Sequence, residues 1–158
     1  MKKIIFLLIT FSSFAYSQEK YFPNSVGVIN DFENIFTESE KEDLTNIILN
    51  FEKETSNEIA IASIKDIEDY EDFDKYTLEL SNYWGVGKKE KDNGLTIFFS
   101  TKLRKIRINS GKQTQYILTD EICNDILNDL ILPEFKKKNY FLGIKNGLLE
   151  LVDKWKNK

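Results

Sequence analysis

The chain contains no histidine and a single cysteine, Cys123. Without histidine, a Ser-His-Asp triad, a histidine phosphatase and a His-ligated zinc site are excluded. A lone cysteine cannot form an intramolecular disulfide, so the hydrophobic core has to stabilise the fold. Cys123 lies on the apolar side of a helical pattern, which favours a buried thiol. Residues 124–129 contain no basic side chain, so the arginine-bearing phosphate loop of cysteine phosphatases is missing after Cys123. The sequence also lacks a glycine-rich Walker loop.

No apolar run in the chain reaches the length of about 20 residues that spans a bilayer. The run over 4–14 follows Lys2 and Lys3 and is succeeded by Ala15-Tyr16-Ser17, a small-x-small pattern. This arrangement is typical of a secretory signal peptide, with a buried N-terminal helix as the alternative.

The N-terminal pattern predicts a protein cut near Ser17 and exported to the periplasm or medium. We expect a signal peptide over 1–17, a loose lead-in over 18–27 and one domain over 28–158. Because no cysteine lies near the cleavage site, lipid attachment is not expected there. No downstream segment is long and apolar enough to predict a transmembrane anchor.

The charge balance argues against a nucleic-acid partner. Loss of Lys2 and Lys3 would leave 20 basic and 26 acidic side chains, a formal charge of −6, whereas nucleic acid requires a basic surface. Six acids fall within 66–74, but Tyr70 and the absence of the required glycine exclude an EF-hand. Seven lysines and three acids fall within 134–158. Solvated faces are the ordinary explanation of both segments, and the second leaves open a weak contact with an anionic lipid surface.

Hydrophobic periodicity predicts a small α/β sandwich, in which helices alternate with strands and are followed by a hairpin and two helices. A capping box at Thr37–Glu40 opens the first helix. The expected elements are helices over 38–54, 73–84, 120–133 and 141–155, and strands over 58–64, 95–100 and 103–109. Pro133 should kink or end its helix. The segment 58–99 should form a right-handed crossover between parallel strands.

Two loops are predicted to meet at one edge of this sheet. If 95–100 and 103–109 pair as a hairpin, the start of the first strand and the end of the second are neighbours. Asp92 and Asn93 would then lie beside the loop from Gly111 to Asp120. Carboxylate, amide and carbonyl oxygens suit a hard cation or a polar ligand.

Several short motifs, in their order and spacing, resemble the TPM-domain family. They are Asn30-Asp31-Phe32, Thr37-Glu38-Ser39-Glu40, Trp84-Gly85-Val86-Gly87, Asp92-Asn93-Gly94, Gly111, Thr119-Asp120 and Asn139-Tyr140 with Gly143. The resemblance covers about 28–155 and implies an α/β fold in an exported or lumenal domain. Its small mixed sheet would carry helices on both faces, which makes it an α/β/α sandwich. The resemblance also implies calcium binding at the acidic edge, as in some members, and acid phosphatase activity and photosystem II repair, as in a plastid branch. Gln113 and Gln115 replace a glycine and an acid that the family often shows.

The candidate metal ligands are Asp31, Asp92, Asn93, Gly111, Thr119 and Asp120, with Ca²⁺ as the expected cation and Mg²⁺ as the alternative. Each also has a structural interpretation. The Asp92–Gly94 segment is a good turn, Thr119 or Asp120 is a good helix cap, and Asp31 can form a side-chain-to-backbone turn.

These features together predict an exported calcium-binding interaction or assembly module. We expect it to be a monomer that acts on an unidentified envelope protein. The alternative is a weak metal-dependent acid phosphatase, in which the cation would polarise a phosphate ester and lower the pKa of its bound water. Lys88, Lys89 and Lys91, just before Asp92, would then steer the anion, although a solvated loop explains these lysines equally well.

Overall fold

The computed structural model describes residues 22–67, 70–88 and 90–157. The predicted signal peptide lies outside these residues. The elements are β1 (Ile29–Asp31), α1 (Glu38–Thr55), β2 (Glu58–Ser63), α2 (Phe73–Trp84), β3 (Gly94–Ser100), β4 (Lys105–Ser110), α3 (Lys112–Gln115), α4 (Asp120–Ile126), a π-helical turn (Leu127–Ile131), α5 (Leu132–Lys136) and α6 (Tyr140–Lys156). Within the described residues, no helix combines the length and the apolar character needed to cross a membrane.

The predicted α/β sandwich is confirmed, and so are the capping signals that open and close its helices. At the start of α1 the Thr37 hydroxyl accepts a hydrogen bond from the Glu40 amide, and the Glu40 carboxylate accepts one from the Thr37 amide. At the end of α2, Gly85 has a φ of 65°, a conformation that glycine adopts without steric cost.

Two short elements were not predicted from the sequence, and one strand begins later than expected. The strand β1 has three residues and α3 has four, which is too short for a periodic pattern to register. The strand β4 begins at Lys105 because residues 101–104 form the hairpin loop, in which the Leu103 amide donates to the Ser100 hydroxyl.

The predicted break at Pro133 is confirmed, and its form is a π-helical turn over Leu127–Ile131. Proline lacks the amide hydrogen that an α-helix needs at that position, so the helix changes its hydrogen-bond register before resuming as α5. The turn directs Ile131 against Gly143 and Gly147 of α6, where the absence of side chains allows close packing.

The sheet has the strand order β1-β2-β3-β4, with the first three strands parallel and β4 antiparallel to β3. Alternate residues of β2 and β3 face opposite sides. Ile59, Ile61 and Ile97 pack with α1, α4 and α6. Ala62 and Phe98 pack with α2 on the other face. Helices therefore cover both faces, as the family resemblance implies.

The positions of α1 and α2 have a topological consequence. The chain steps from β1 to β2 and from β2 to β3 in the same direction, yet α1 and α2 lie on opposite faces. The two crossovers therefore have opposite hands, although such connections are right-handed in about 98% of cases. One of them departs from the rule on which the prediction for residues 58–99 was based.

The segment before β1 is attached to the domain from residue 22 onwards, whereas the sequence suggested a loose lead-in over 18–27. The Phe22 ring packs against Tyr70, Tyr76 and Tyr83, with centroid separations of 5.9, 5.5 and 5.5 Å. The Trp84 indole donates to the Pro23 carbonyl at 2.7 Å. Aromatic side chains of α2 therefore hold this segment against the domain.

Candidate functional site

The predicted ligands do not all lie at one edge of the sheet. Asp31 pairs with Ser63 in register, at the carboxyl ends of the parallel strands. Asp92 precedes Gly94, the first residue of β3, at their amino ends. The structure thus corrects the expectation that Asp31 reaches the Asp92 edge. In parallel strands, a residue at the carboxyl end of one strand and a residue before the amino end of another lie at opposite edges of the sheet, so their side chains do not meet.

Asp31 has the structural role that was the alternative interpretation. One carboxylate oxygen accepts from the Ile35 amide at 3.0 Å and the other from the Phe36 amide at 2.8 Å. The Ser63 hydroxyl also donates to this carboxylate. Asp31 therefore closes the turn that leads from β1 to α1.

The predicted meeting of Asp92 with Gly111 is present. The Gly111 amide donates to the Gly94 carbonyl at 2.9 Å, which continues the β3–β4 ladder. The Asp92 carboxylate accepts from the Lys112 amide at 3.0 Å, and its main-chain carbonyl accepts from the Gln113 amide at 3.2 Å. Asp92 thus caps α3, since Gly111 has no side chain with which to do so. A methyl group on Gly111 would collide with the Asp92 main chain.

Asn93 is adjacent but buried, with 5% of its surface exposed. Its side-chain oxygen accepts from the Lys88 amide at 2.9 Å, and its nitrogen donates to the Ser56 carbonyl and the Asn57 side chain, each at 2.9 Å. These contacts use both polar atoms of the side chain. Asn93 supports the loop and does not face a ligand.

Thr119 and Asp120 lie at the start of α4. The Thr119 hydroxyl accepts from the Ile122 amide at 3.4 Å, which makes it the helix cap. Asp120 is exposed in the first turn, where a carboxylate interacts favourably with the helix dipole. Burial, followed by the charge of Asp120, raises the pKa of the Cys123 thiol to about 11. The Cys123 thiol is buried, as predicted.

A cavity of about 210 Å³ opens beside Asp92. Gly111 and Lys112 border it, together with a set of hydroxyl and amide side chains: Ser81, Asn82, Thr96, Asn109, Ser110 and Gln115. Ser81 links two of these side chains to each other. Its hydroxyl lies 2.7 Å from the Thr96 hydroxyl and accepts a hydrogen bond from the Asn109 side-chain amide at 3.3 Å. Of the six predicted ligands, only Asp92 and Gly111 border this cavity.

Sequence reasoning missed the polar residues contributed by α2 and β4. A signal existed for Asn109, because it alternates with the apolar Ile106 and Ile108 along β4 and so faces the α2 side of the sheet. No comparable signal marked Ser81, since a polar residue at the end of an amphipathic helix is ordinary.

The chemistry of this cavity is that of oxygen donors around one carboxylate. Across the described residues, no three or more carboxylate, cysteine or histidine side chains group as they would to hold a metal ion. The cavity thus offers a cation one negative charge and several neutral oxygens. A calcium site of that composition would be weak, because ligand charge sets much of its affinity.

A comparison of the sequence with models of known protein families identifies the family. The sequence model of the TPM domain matches residues 29–154. The chain belongs to the TPM-domain family. This confirms the assignment that the motif order predicted. None of the curated proteins matches the chain.

Solved structures show the same TPM fold. The N-terminal domain of a protein from P. gingivalis has 23% identity and a TM-score of 0.75, over 82% of both chains. A protein from the psychrophilic bacterium Bizionia argentinensis has 20% identity and a TM-score of 0.69, over 80% of this chain and 85% of that one. The N-terminal domain of a Corynebacterium glutamicum protein has 16% identity and a TM-score of 0.61, over 92% and 85%. At these identities the likeness extends to the fold alone.

Proposed function

We propose that this TPM domain acts outside the cytoplasm as an interaction module for an envelope protein and binds a divalent cation beside Asp92. The N-terminal charged, apolar and small-residue pattern supports the location. The observation that carries the cation is the exposed Asp92 carboxylate, which opens onto a cavity of hydroxyl and amide oxygens. Calcium is preferred to magnesium because it accepts many neutral oxygens in an irregular geometry.

Within this site, Asp92 would supply the charge, and Asn109, Ser110 and the backbone around Gly111 would supply neutral oxygens. One carboxylate oxygen already accepts from the Lys112 amide, which holds the side chain in place. With a single carboxylate, the dissociation constant should fall in the range of extracellular calcium modules, about 10⁻⁴–10⁻³ M.

The test is thermal unfolding of the purified protein in calcium, magnesium or a chelator. A ligand present at about 100 times its dissociation constant stabilises the native state by about 2.7 kcal/mol. Asp92→Asn keeps an oxygen for the Lys112 amide but removes the charge, so it should abolish the calcium shift. Asp125→Asn, an exposed acid of α4 outside the cavity, should retain it. An equal shift in both variants, or none at about 10 mM calcium, at least ten times the expected dissociation constant, contradicts the proposal.

A metal-dependent acid phosphatase is the alternative, and Lys112 favours it because this cation borders the same cavity and would attract a phosphate ester. Phosphate release measured in the same samples separates the two functions. A calcium shift without turnover supports the module. Turnover that a chelator abolishes and Asp92→Asn reduces supports the enzyme, and turnover that Asp92→Asn leaves unchanged indicates a contaminant.

A further inference from the structure

We propose that a second site, at the opposite end of the sheet from Asp92, binds a small doubly charged anion of the phosphate type that carries an apolar group. The site is a cleft of about 710 Å³ between the β3–β4 loop and the α5–α6 junction, which we call the basic cleft. This volume lies within the usual range for small-molecule sites, about 300–1,000 Å³.

The charge of the cleft points to an anion. Five cations line it, namely Lys102, Arg104, Lys105, Lys136 and Lys138, and its lining contains no acid. The whole chain has a formal charge of −4, so this concentration of positive charge runs against the general balance. A cleft lined by charges of one sign focuses the field and attracts the opposite charge.

Most of these cations are available to a ligand. Lys102 pairs with Asp66 at 2.9 Å. Arg104, Lys105, Lys136 and Lys138 have no ion-pair partner anywhere in 22–67, 70–88 and 90–157.

Two acids that lie close to the walls of the cleft are committed elsewhere. The Glu33 carboxylate accepts hydrogen bonds from the Thr101 amide and hydroxyl and from the Lys102 amide, so it stabilises the β3–β4 loop. The Glu134 carboxylate accepts from Lys137 and Asn139, which lower its pKa. Neither acid borders the cleft, and among the described residues neither forms an ion pair with Arg104, Lys105, Lys136 or Lys138.

The floor of the cleft supplies the apolar half of the recognition. Ile106, Leu132, Phe135 and Tyr140 line it. The Phe135 and Tyr140 rings meet edge to face at 5.1 Å, and Phe135 rests on Phe99 of the core at 5.4 Å. These contacts hold the rings in place, which gives an apolar group a rigid surface on which to pack.

The position in the fold is an independent reason to expect a ligand. Ser100, the last residue of β3, borders the cleft, which therefore opens at the carboxyl ends of the parallel strands. Open α/β sheets bind ligands in crevices outside those ends.

Two of the cations occupy costly backbone conformations. Arg104 has a φ of 54° and Lys138 a φ of 64°, where most residues with a Cβ are strained. Both residues lie at turns, one on each side of the cleft. The strain is consistent with a role for the side chains that these positions carry.

The experiment compares phenylphosphonate with methylphosphonate by titration calorimetry, with a chelator present so that no divalent cation contributes. At about pH 9 both probes carry two charges while lysines stay protonated. Phenylphosphonate should bind about fivefold more tightly because its ring packs on the cleft floor. The double variant Lys105→Gln, Lys138→Gln should weaken both probes about tenfold or more.

The matched control is Lys53→Gln with Lys75→Gln, which removes the same charge from exposed positions on α1 and α2. It should change the affinity by no more than about twofold. Equal weakening in both double variants means that only net charge matters, which overturns the site. The same holds if neither phosphonate binds.

A second arm identifies the source of the anion. Vesicles of phosphatidylcholine that contain phosphatidic acid present the same phosphate on a membrane. Co-sedimentation that is lost in the cleft variant and kept in the control assigns the site to a lipid headgroup. Phosphonate binding without co-sedimentation assigns it to a soluble ligand, and the absence of phosphonate binding ends the proposal whatever the vesicles do.

Discussion

Asn93 joins two loops through one buried amide, because its partners lie in its own loop and in the loop between α1 and β2. It contacts the Lys88 amide, the Ser56 carbonyl and the Asn57 side chain. Asn93→Ala leaves buried donors and acceptors without partners, so the free energy of unfolding should fall by about 2–4 kcal/mol. Urea denaturation measures this change. Asn50→Ala, an exposed asparagine on α1, should change stability by less than about 0.5 kcal/mol, and equal effects would contradict the structural role.

Single residues at the Asp92 edge show where sequence reasoning reaches its limit. The Asp92-Asn93-Gly94 motif identifies a turn and places it next to Gly111, which the structure confirms. It cannot tell which side chain faces solvent. The partners of Asn93 include Ser56 and Asn57, more than 35 residues earlier in the chain, so its burial depends on how separate elements pack.

The contact between the π-helical turn and α6 gives a prediction at the scale of the element. A Cβ on Gly147 would lie 2.5 Å from the Ile131 Cδ1 atom, well inside contact distance. Gly to Ala inside a helix ordinarily stabilises by up to about 1 kcal/mol. Gly147→Ala should instead destabilise by about 1–3 kcal/mol through overpacking, measured by urea denaturation.

The matched partner of that variant is Ile131→Val, which removes the Cδ1 atom. Combined with Gly147→Ala, it should recover part of the lost stability, so the double variant should be more stable than the sum of the two changes predicts. Strict additivity would mean that the turn and α6 do not depend on this contact.

The helices and strands could be predicted to different depths. The amphipathic patterns of α1 and α2 and the capping box at Thr37 are local, so their boundaries were predicted to within a residue. The break at Pro133 was also predicted. Its π-helical form was not, because the register depends on Ile131 packing against glycines more than ten residues later.

At the scale of the molecule, two residues that precede the predicted start of the domain at 28 contact helix α2 or its neighbours. Phe22 packs on three tyrosines, and Pro23 accepts from Trp84. A chain that starts at residue 28 loses these contacts and should melt about 3–6 °C lower than one that starts at residue 18. In the longer chain, Phe22→Ala should reproduce part of the loss, and Tyr116→Ala, whose residue is 80% exposed, should not. Identical melting temperatures would restore the boundary at 28.

Both the sandwich and its mixed sheet could be predicted, because alternating helix and strand patterns limit the choice of architecture. The hands of the crossovers could not, since nothing local in α1 or α2 records which face each helix covers. The same limit applied to the candidate site. Asp31 and Asp92 each lie in a short polar segment that looks like a turn in the sequence. The strand directions, which the sequence alone does not show, place them at opposite ends of the sheet.

The opposite hands of the two crossovers have a consequence for how copies of the chain meet one another. If α1 and α2 lay on the same face of the sheet, Ala62, Ile64 and Phe98 on the other face would be exposed to solvent. A second copy of the chain could then bind to this apolar surface. In the described part of the chain, β1 and β4 are the edge strands of the sheet, and each has one side without a strand partner. One is three residues long, and the other carries Lys105 and Arg107. Short or charged edge strands pair poorly with strands of other molecules, so the sheet has little tendency to extend into fibrous aggregates.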